Sequence, residues 1–172
     1  MSEQSVPRER RGDIAFFGAV TAGLSHELKN VLATINELSG LQDDLLLMAR
    51  RGRPLDESRF EKIGTKIRLQ VGRGEQLLGA LNRFAHSVDQ PQATVDLAAL
   101  FEVTMALCQR AARLKCAELR PRVADGLGVV TLSPFGFHRL IILALEAMLQ
   151  GATQGEPVSV ALGRTPGECR VV

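Results

Sequence analysis

The 172 residues predict an α+β chain that is mainly α: a long antiparallel helical hairpin, forming a four-helix bundle by dimerisation, followed by a small α/β sandwich. Three observations carry this prediction. Apolar residues recur at steps of three and four over two successive stretches, predicting amphipathic helices of more than 30 residues each. A short loop with Gly52 and Pro54 joins them, which folds one helix back on the other. After Pro91 the pattern changes to helices alternating with short strands. The reading divides the chain into a tail over 1–12, a hairpin over 13–90 and an α/β domain over 91–172.

The opening "MSEQSVPRERRG" is polar and charged, with Asp13 placed to cap the first helix. From Ile14 a stripe runs through Phe17, Val20, Leu24, Leu28, Val31, Ile35, Leu38, Leu41 and Leu45, predicting one helix that ends near Arg50. After the loop, Asp56 can cap a second helix whose stripe is Phe60, Ile63, Ile67, Val71, Gly74, Leu78, Leu81, Ala85 and Val88. Glycines at 64, 72, 74 and 79 each weaken that helix by about 1 kcal/mol relative to Ala, so packing must hold it. Stripes this long cover more surface than one partner helix hides, and pairing of two hairpins is the simplest way to bury them.

Beyond Pro91, "VDLAALFEVTMALCQRAARLK" predicts a helix capped by Asp96. "AELRPRV" and "LGVVTL" predict two short strands around a turn at Asp125-Gly126. "SPFGFHRLIILALEAMLQGA" predicts a mostly buried helix starting at Ser133-Pro134, and "EPVSVALGRTPGECRVV" a strand pair around "RTPGE".

Composition narrows the function. A hydrophobic share of 45% supports an ordinary core, and a net charge of +2 is too small to point to nucleic acid, which is not expected as a partner. Cys108, Cys116 and Cys169 are odd in number and lie in no metal-ligand spacing, so they read as reduced packing residues. No signal peptide is visible, and the longest apolar run, Leu140 to Leu149, is broken by Glu146 and falls short of the roughly 18 residues a membrane span needs. A cytoplasmic protein without membrane contact is the expectation.

The stretch "GLSHELKNV" carries the chemistry. His26 lies two positions from both Leu24 and Leu28, so a helix turns it roughly 160° away from that part of the stripe, toward solvent. Lys29 and Asn30 share its face and Glu27 flanks it. Neutral imidazole can attack phosphorus, a carboxylate can orient it or take its proton, and polar neighbours can steady the phosphoryl oxygens. On local physics alone, an exposed helical histidine with ordinary charged neighbours is the simpler account.

The wider segment "FFGAVTAGLSHELKNVLATI" resembles the H-box of bacterial sensor histidine kinases, with its pattern "G-x-x-A-A-G-x-x-H-E-[IL]-[KRN]-N-P-L". The resemblance implies that His26 is the phospho-accepting histidine and Glu27 the adjacent acid that assists transfer. Asn30 matches the polar residue of an E-x-x-N pattern similar to the one such proteins use to dephosphorylate a response regulator. Val31 stands where the family usually has proline. The order of the later segments is also similar to the family's hairpin, linker and first half of an ATP-binding domain.

The parts that handle ATP depart from that family. It expects roughly "N-L-L-x-N-A" on the helix matching "LIILALEAMLQGA", where this chain has Ile142, Leu143, Glu146 and Ala147, and no asparagine follows Asn82. The D-x-G-x-G and later glycine boxes that would cradle a triphosphate are missing too. The resemblance therefore implies a degenerate kinase-like domain that does not phosphorylate itself from ATP. The closer likeness is to dimeric histidine phosphotransferases of phosphorelays, rather than to a sensor kinase truncated before its glycine boxes.

The expected function is transfer of phosphoryl groups between response-regulator receivers through His26, with no cofactor of its own and Mg²⁺ supplied by the partner receiver. Between Arg50 and Arg73, eight Arg or Lys stand against three acidic residues, a surface that could speed association with an acidic receiver pocket or simply be a solvated helix face. Other readings are a response-regulator phosphatase using Glu27 and Asn30, a non-catalytic module that binds receivers or pairs with a sensor kinase, and a truncated sensor histidine kinase. His86 and His138 read as structural or incidental.

Overall fold

The computed structural model describes residues 8–115, 118–124, 126–151, 157–165 and 168–171. The chain is mainly helical with small sheets, an α+β arrangement. It forms two compact units: one is Ala22–Gly79, and the other combines the described residues of Met1–Thr21 with those of Ala80–Val172. Both boundaries fall inside helices, because α1 spans Arg8–Arg50 and α2 spans Glu57–His86.

Helix α1 begins at Arg8, ahead of the expected cap. Asp13 is therefore a helical residue, and its carboxylate pairs with Arg139 instead of closing the helix end. Asp56 does cap α2: its Oδ1 accepts the Arg59 backbone N–H at 2.9 Å. At the loop, Gly52 takes a φ of 86°, a left-handed conformation that favours glycine.

In the unit Ala22–Gly79, Leu24, Val31, Ile63 and Leu77 are buried. Contacts between the two helices here include Gln42 Nε2 donating to the Phe60 carbonyl at 3.4 Å, Gly74 lying against Val31, and Arg73 reaching Glu27. Much apolar surface remains open, including Leu32, Leu41, Leu69, Val71 and Leu78. The line expected to face inward on α2 is thus corrected. Val71, Leu78 and Val88 of that line are exposed, whereas its Ile63 is buried, together with Leu77, Ala80 and Phe84 of the neighbouring line. Two neighbouring lines on a helix share the same three-and-four spacing, so the partner surface decides which one is covered.

The other unit carries β1 (Ala93–Asp96), α3 (Leu97–Leu114), β2 (Glu118–Val123), β3 (Val129–Leu132), α4 (Pro134–Gly151), β4 (Pro157–Thr165) and β5 (Glu168–Val171). Strand β1 was not foreseen; it pairs antiparallel with β3, Val95 opposite Val130. The expected pairing of the segments flanking Gly126 does not form. Strand β2 instead runs parallel to β4, Leu119 opposite Val158, and β4 pairs antiparallel with β5. Left-handed glycines at 126 and 128, with φ of 74° and 68°, turn the chain between the two sheets rather than closing a strand pair. Thr165 and Glu168 face each other in the β4–β5 pair; Pro166 and Gly167 of its turn lie outside the described residues.

Asp96 Oδ1 caps α3 by accepting the Ala99 N–H at 3.1 Å, and the Ser133 hydroxyl caps α4 by accepting the Gly136 N–H at 3.1 Å with Pro134 at the first helical position. Phe101 and Cys108 of α3, Ile141, Leu145 and Leu149 of α4 and the alternate residues Val158, Val160 and Leu162 of β4 are buried. Phe84 anchors a second cluster, stacked on Phe17 at 5.2 Å between ring centroids and edge-on to Phe16. Phe135 joins that cluster, 5.6 Å from Phe16.

Candidate functional site

His26 lies on α1 with its side chain exposed, and Ser25, Lys29 and Asn30 are exposed beside it. The helical turn places Asn30 over the imidazole: Asn30 Nδ2 is 3.3 Å from His26 Nδ1. One turn further, the Thr34 hydroxyl donates to the Asn30 carbonyl at 2.9 Å. Lys29, three residues from His26, adds a cation to the same exposed surface.

Glu27 points the other way. It is only 5% exposed, and one carboxylate oxygen accepts from Arg73 of α2 at 2.5 Å. Burial of a carboxylate is costly unless a charge-assisted partner is in place, and Arg73 supplies it. Arg73 is the residue that reading the sequence missed, since it stood there only as one of a run of basic residues. Its partner lies 46 positions away, and no local pattern marks such a pair. The remainder of that run, Arg50, Arg51, Arg53, Arg59, Lys62, Lys66 and Arg68, is exposed.

The other histidines are differently placed. His86 is exposed and sits 2.8 Å from Asp89. His138 is buried in the wall of a cavity of about 490 Å³, its Nδ1 2.8 Å from the Thr104 hydroxyl and its ring edge-on to Phe84. Burial pushes His138 down to about 4, so it is neutral at pH 7. The cavity holds no residue of the His26 group.

On α4, at the positions where the kinase pattern has asparagines, Ile142 is buried and Leu143, Glu146 and Ala147 are exposed. Cys108 is buried, and that burial, with the Glu146 charge as a smaller cause, pushes its thiol up to about 12, a packing residue rather than a nucleophile. The side chains of Cys116 and Cys169 lie outside the described residues. Among the described residues no group of three or more His, Cys, Asp or Glu is placed to hold a metal ion, and no helix is long and apolar enough to cross a membrane.

No family model matches the sequence, and no curated protein matches it. Among solved structures, the Acinetobacter baumannii histidine kinase AdeS is a distant structural neighbour, at 14% sequence identity and a TM-score of 0.37. The match covers 81% of this chain and 66% of the AdeS chain. At that distance the likeness decides nothing about activity, and the functional reading rests on the residues around His26.

Proposed function

We propose that this chain is a histidine phosphotransferase of a two-component phosphorelay, passing phosphoryl groups between response-regulator receivers through His26. The observation that carries the reading is an exposed imidazole, held at Nδ1 by Asn30, on a helix whose segment "FFGAVTAGLSHELKNVLATI" resembles the phospho-accepting box of histidine kinases. In the proposed step a lone pair of His26 bonds to phosphorus while the P–O bond to the receiver's aspartyl carboxyl breaks and its electron pair returns to that carboxylate. The Mg²⁺ that screens the phosphoryl oxygens comes with the receiver. Lys29 would steady those oxygens, and the pairing of buried Glu27 with half-exposed Arg73 would fix the helix from which His26 projects.

The uncovered leucines of α1 and α2 support a homodimer in which two helical hairpins form a four-helix bundle. Sedimentation equilibrium checks this, with twice the chain mass expected. The missing asparagine on α4 supports a kinase-like domain that takes no phosphate from ATP.

The experiment is incubation with Mg²⁺ and a panel of receivers carrying labelled phosphoryl groups, with His26→Ala as control and labelled ATP in a parallel tube. Label moving from a receiver to the wild type, none moving to His26→Ala and none from ATP is the expected result. The exposed Asn30 amide favours one second reading, a receiver phosphatase, for which receivers lose label that never appears on His26. Labelling of His26 from ATP overturns the proposal in favour of a kinase, and binding of receivers without any movement of label in favour of a binding module.

A further inference from the structure

A neutral imidazole carries one N–H, and the partner of one ring nitrogen decides which nitrogen keeps a lone pair. At His26 the partner of Nδ1 is the carboxamide of Asn30, met through its nitrogen at 3.3 Å. An amide nitrogen only donates, so with this end of the carboxamide toward the ring Nδ1 accepts and the ring proton sits on Nε2. In that form Nε2 has no lone pair to offer phosphorus. A half-turn of the carboxamide about its last bond brings Oδ1 to Nδ1, moves the proton there and frees the Nε2 lone pair. The two ends of a carboxamide have nearly the same shape, and Asn30 and His26 are both exposed, so no packed neighbour has to move.

We propose that Asn30 is a positioning residue that sets which nitrogen of His26 bears the proton, one amide orientation holding a resting imidazole and the other a phosphoryl-accepting one. This rests on the phosphotransfer reading above and deepens it. In the accepting orientation Nε2 forms the P–N bond as the receiver's P–O bond breaks toward its carboxylate, and the ring becomes a cation whose Nδ1–H is donated to Asn30 Oδ1. Loss of that proton to water leaves a neutral phosphoimidazole, and its Nδ1 lone pair then accepts from Asn30 Nδ2. Return of the phosphoryl group requires a proton back on Nδ1, so that the ring can take the P–N electron pair and leave neutral. A carboxamide suits both stages because it has a donor end and an acceptor end; a carboxylate has only the second.

The test is ¹H–¹⁵N spectroscopy of the imidazole rings in the full chain, in wild type and Asn30→Asp, at about pH 8.5, well above the ordinary histidine value of about 6.5. Wild-type His26 is expected as the Nε2–H form and Asn30→Asp as the Nδ1–H form; the same ring form in both overturns the role of Asn30, whatever transfer does. The second readout uses phosphoramidate as a small phosphodonor, which gives up its phosphoryl group with loss of ammonia. Asn30→Asp is expected to capture the phosphoryl group several-fold faster than wild type and to lose it several-fold faster, and equal rates overturn the proposal. If the ring form changes as expected but wild type takes no phosphoryl group from phosphoramidate or any receiver, the phosphotransfer reading fails while the tautomer assignment stands. Circular dichroism of Asn30→Ala and Asn30→Asp checks that both keep the wild-type helix.

Discussion

His26 is exposed on α1 with an amide at its Nδ1, whereas His138 is buried on α4 with a hydroxyl at its Nδ1. The Thr104 hydroxyl gives its hydrogen to the Leu100 carbonyl at 2.8 Å, so it accepts the Nδ1–H of His138 and fixes that ring in one form. Phe84 closes over the ring, and burial holds it neutral down to about pH 4. A ring held in this way contributes packing and a satisfied hydrogen bond. His26 has an adaptable amide partner and open solvent, the setting a nucleophile needs to meet a second protein. The difference teaches that the side chain's chemistry is common to both, and that surroundings leave one ring open to solvent and fix the other in the core.

The largest effect expected separates the two directly. His26→Ala abolishes capture of label from receivers, more than about 100-fold, and shifts stability by less than about 0.5 kcal/mol because the side chain is exposed. His138→Ala does the reverse, lowering the unfolding free energy by about 2–4 kcal/mol in denaturant titrations while the folded fraction still captures label. A folded His138→Ala that captures nothing breaks the comparison.

The pH dependence sharpens it. The folded state holds His138 at about 4 against an ordinary 6.5, so between these values the unfolded chain binds a proton the folded chain refuses. Stability from this group is complete above about pH 6.5 and is lost as pH falls toward about 4, on the order of 3 kcal/mol in all. Unfolding curves between pH 4 and 7 in wild type and His138→Leu check it, the variant lacking this slope. A smaller effect is expected beneath His26. A double-mutant cycle of Glu27→Gln and Arg73→Met should give a coupling of about 1–2 kcal/mol, reduced from that of a fully buried pair because the Arg73 side chain is 40% exposed. A coupling near zero removes the pair as the support of that face.

Local signals were readable where one residue type has one physical use. Asp56, Asp96 and Ser133 announced helix starts, and each accepts the backbone N–H expected of a cap. The exposure of His26, Lys29 and Asn30 followed from helical angle alone. Pairings between distant segments were not readable. Val129–Leu132 and Glu118–Val123 are both good strand sequences, and nothing within either says that one joins Ala93–Asp96 and the other Pro157–Thr165. Phe84 was passed over for Ala85 and Val88 because a three-and-four pattern fits several lines on one helix, and the rings of Phe16, Phe17, Phe135 and His138 packed around it select it.

The sequence by itself determined the four helices, the caps at Asp56, Asp96 and Ser133 and the exposed face that carries His26, since periodicity, capping and helical angle act within a few residues. The tertiary structure alone decided that Glu27 turns inward to Arg73, that His138 is buried against Thr104 and Phe84, and which strands pair. Those outcomes depend on which groups from distant parts of the chain exclude water together, and desolvation is a property of the assembled surroundings, not of any short stretch.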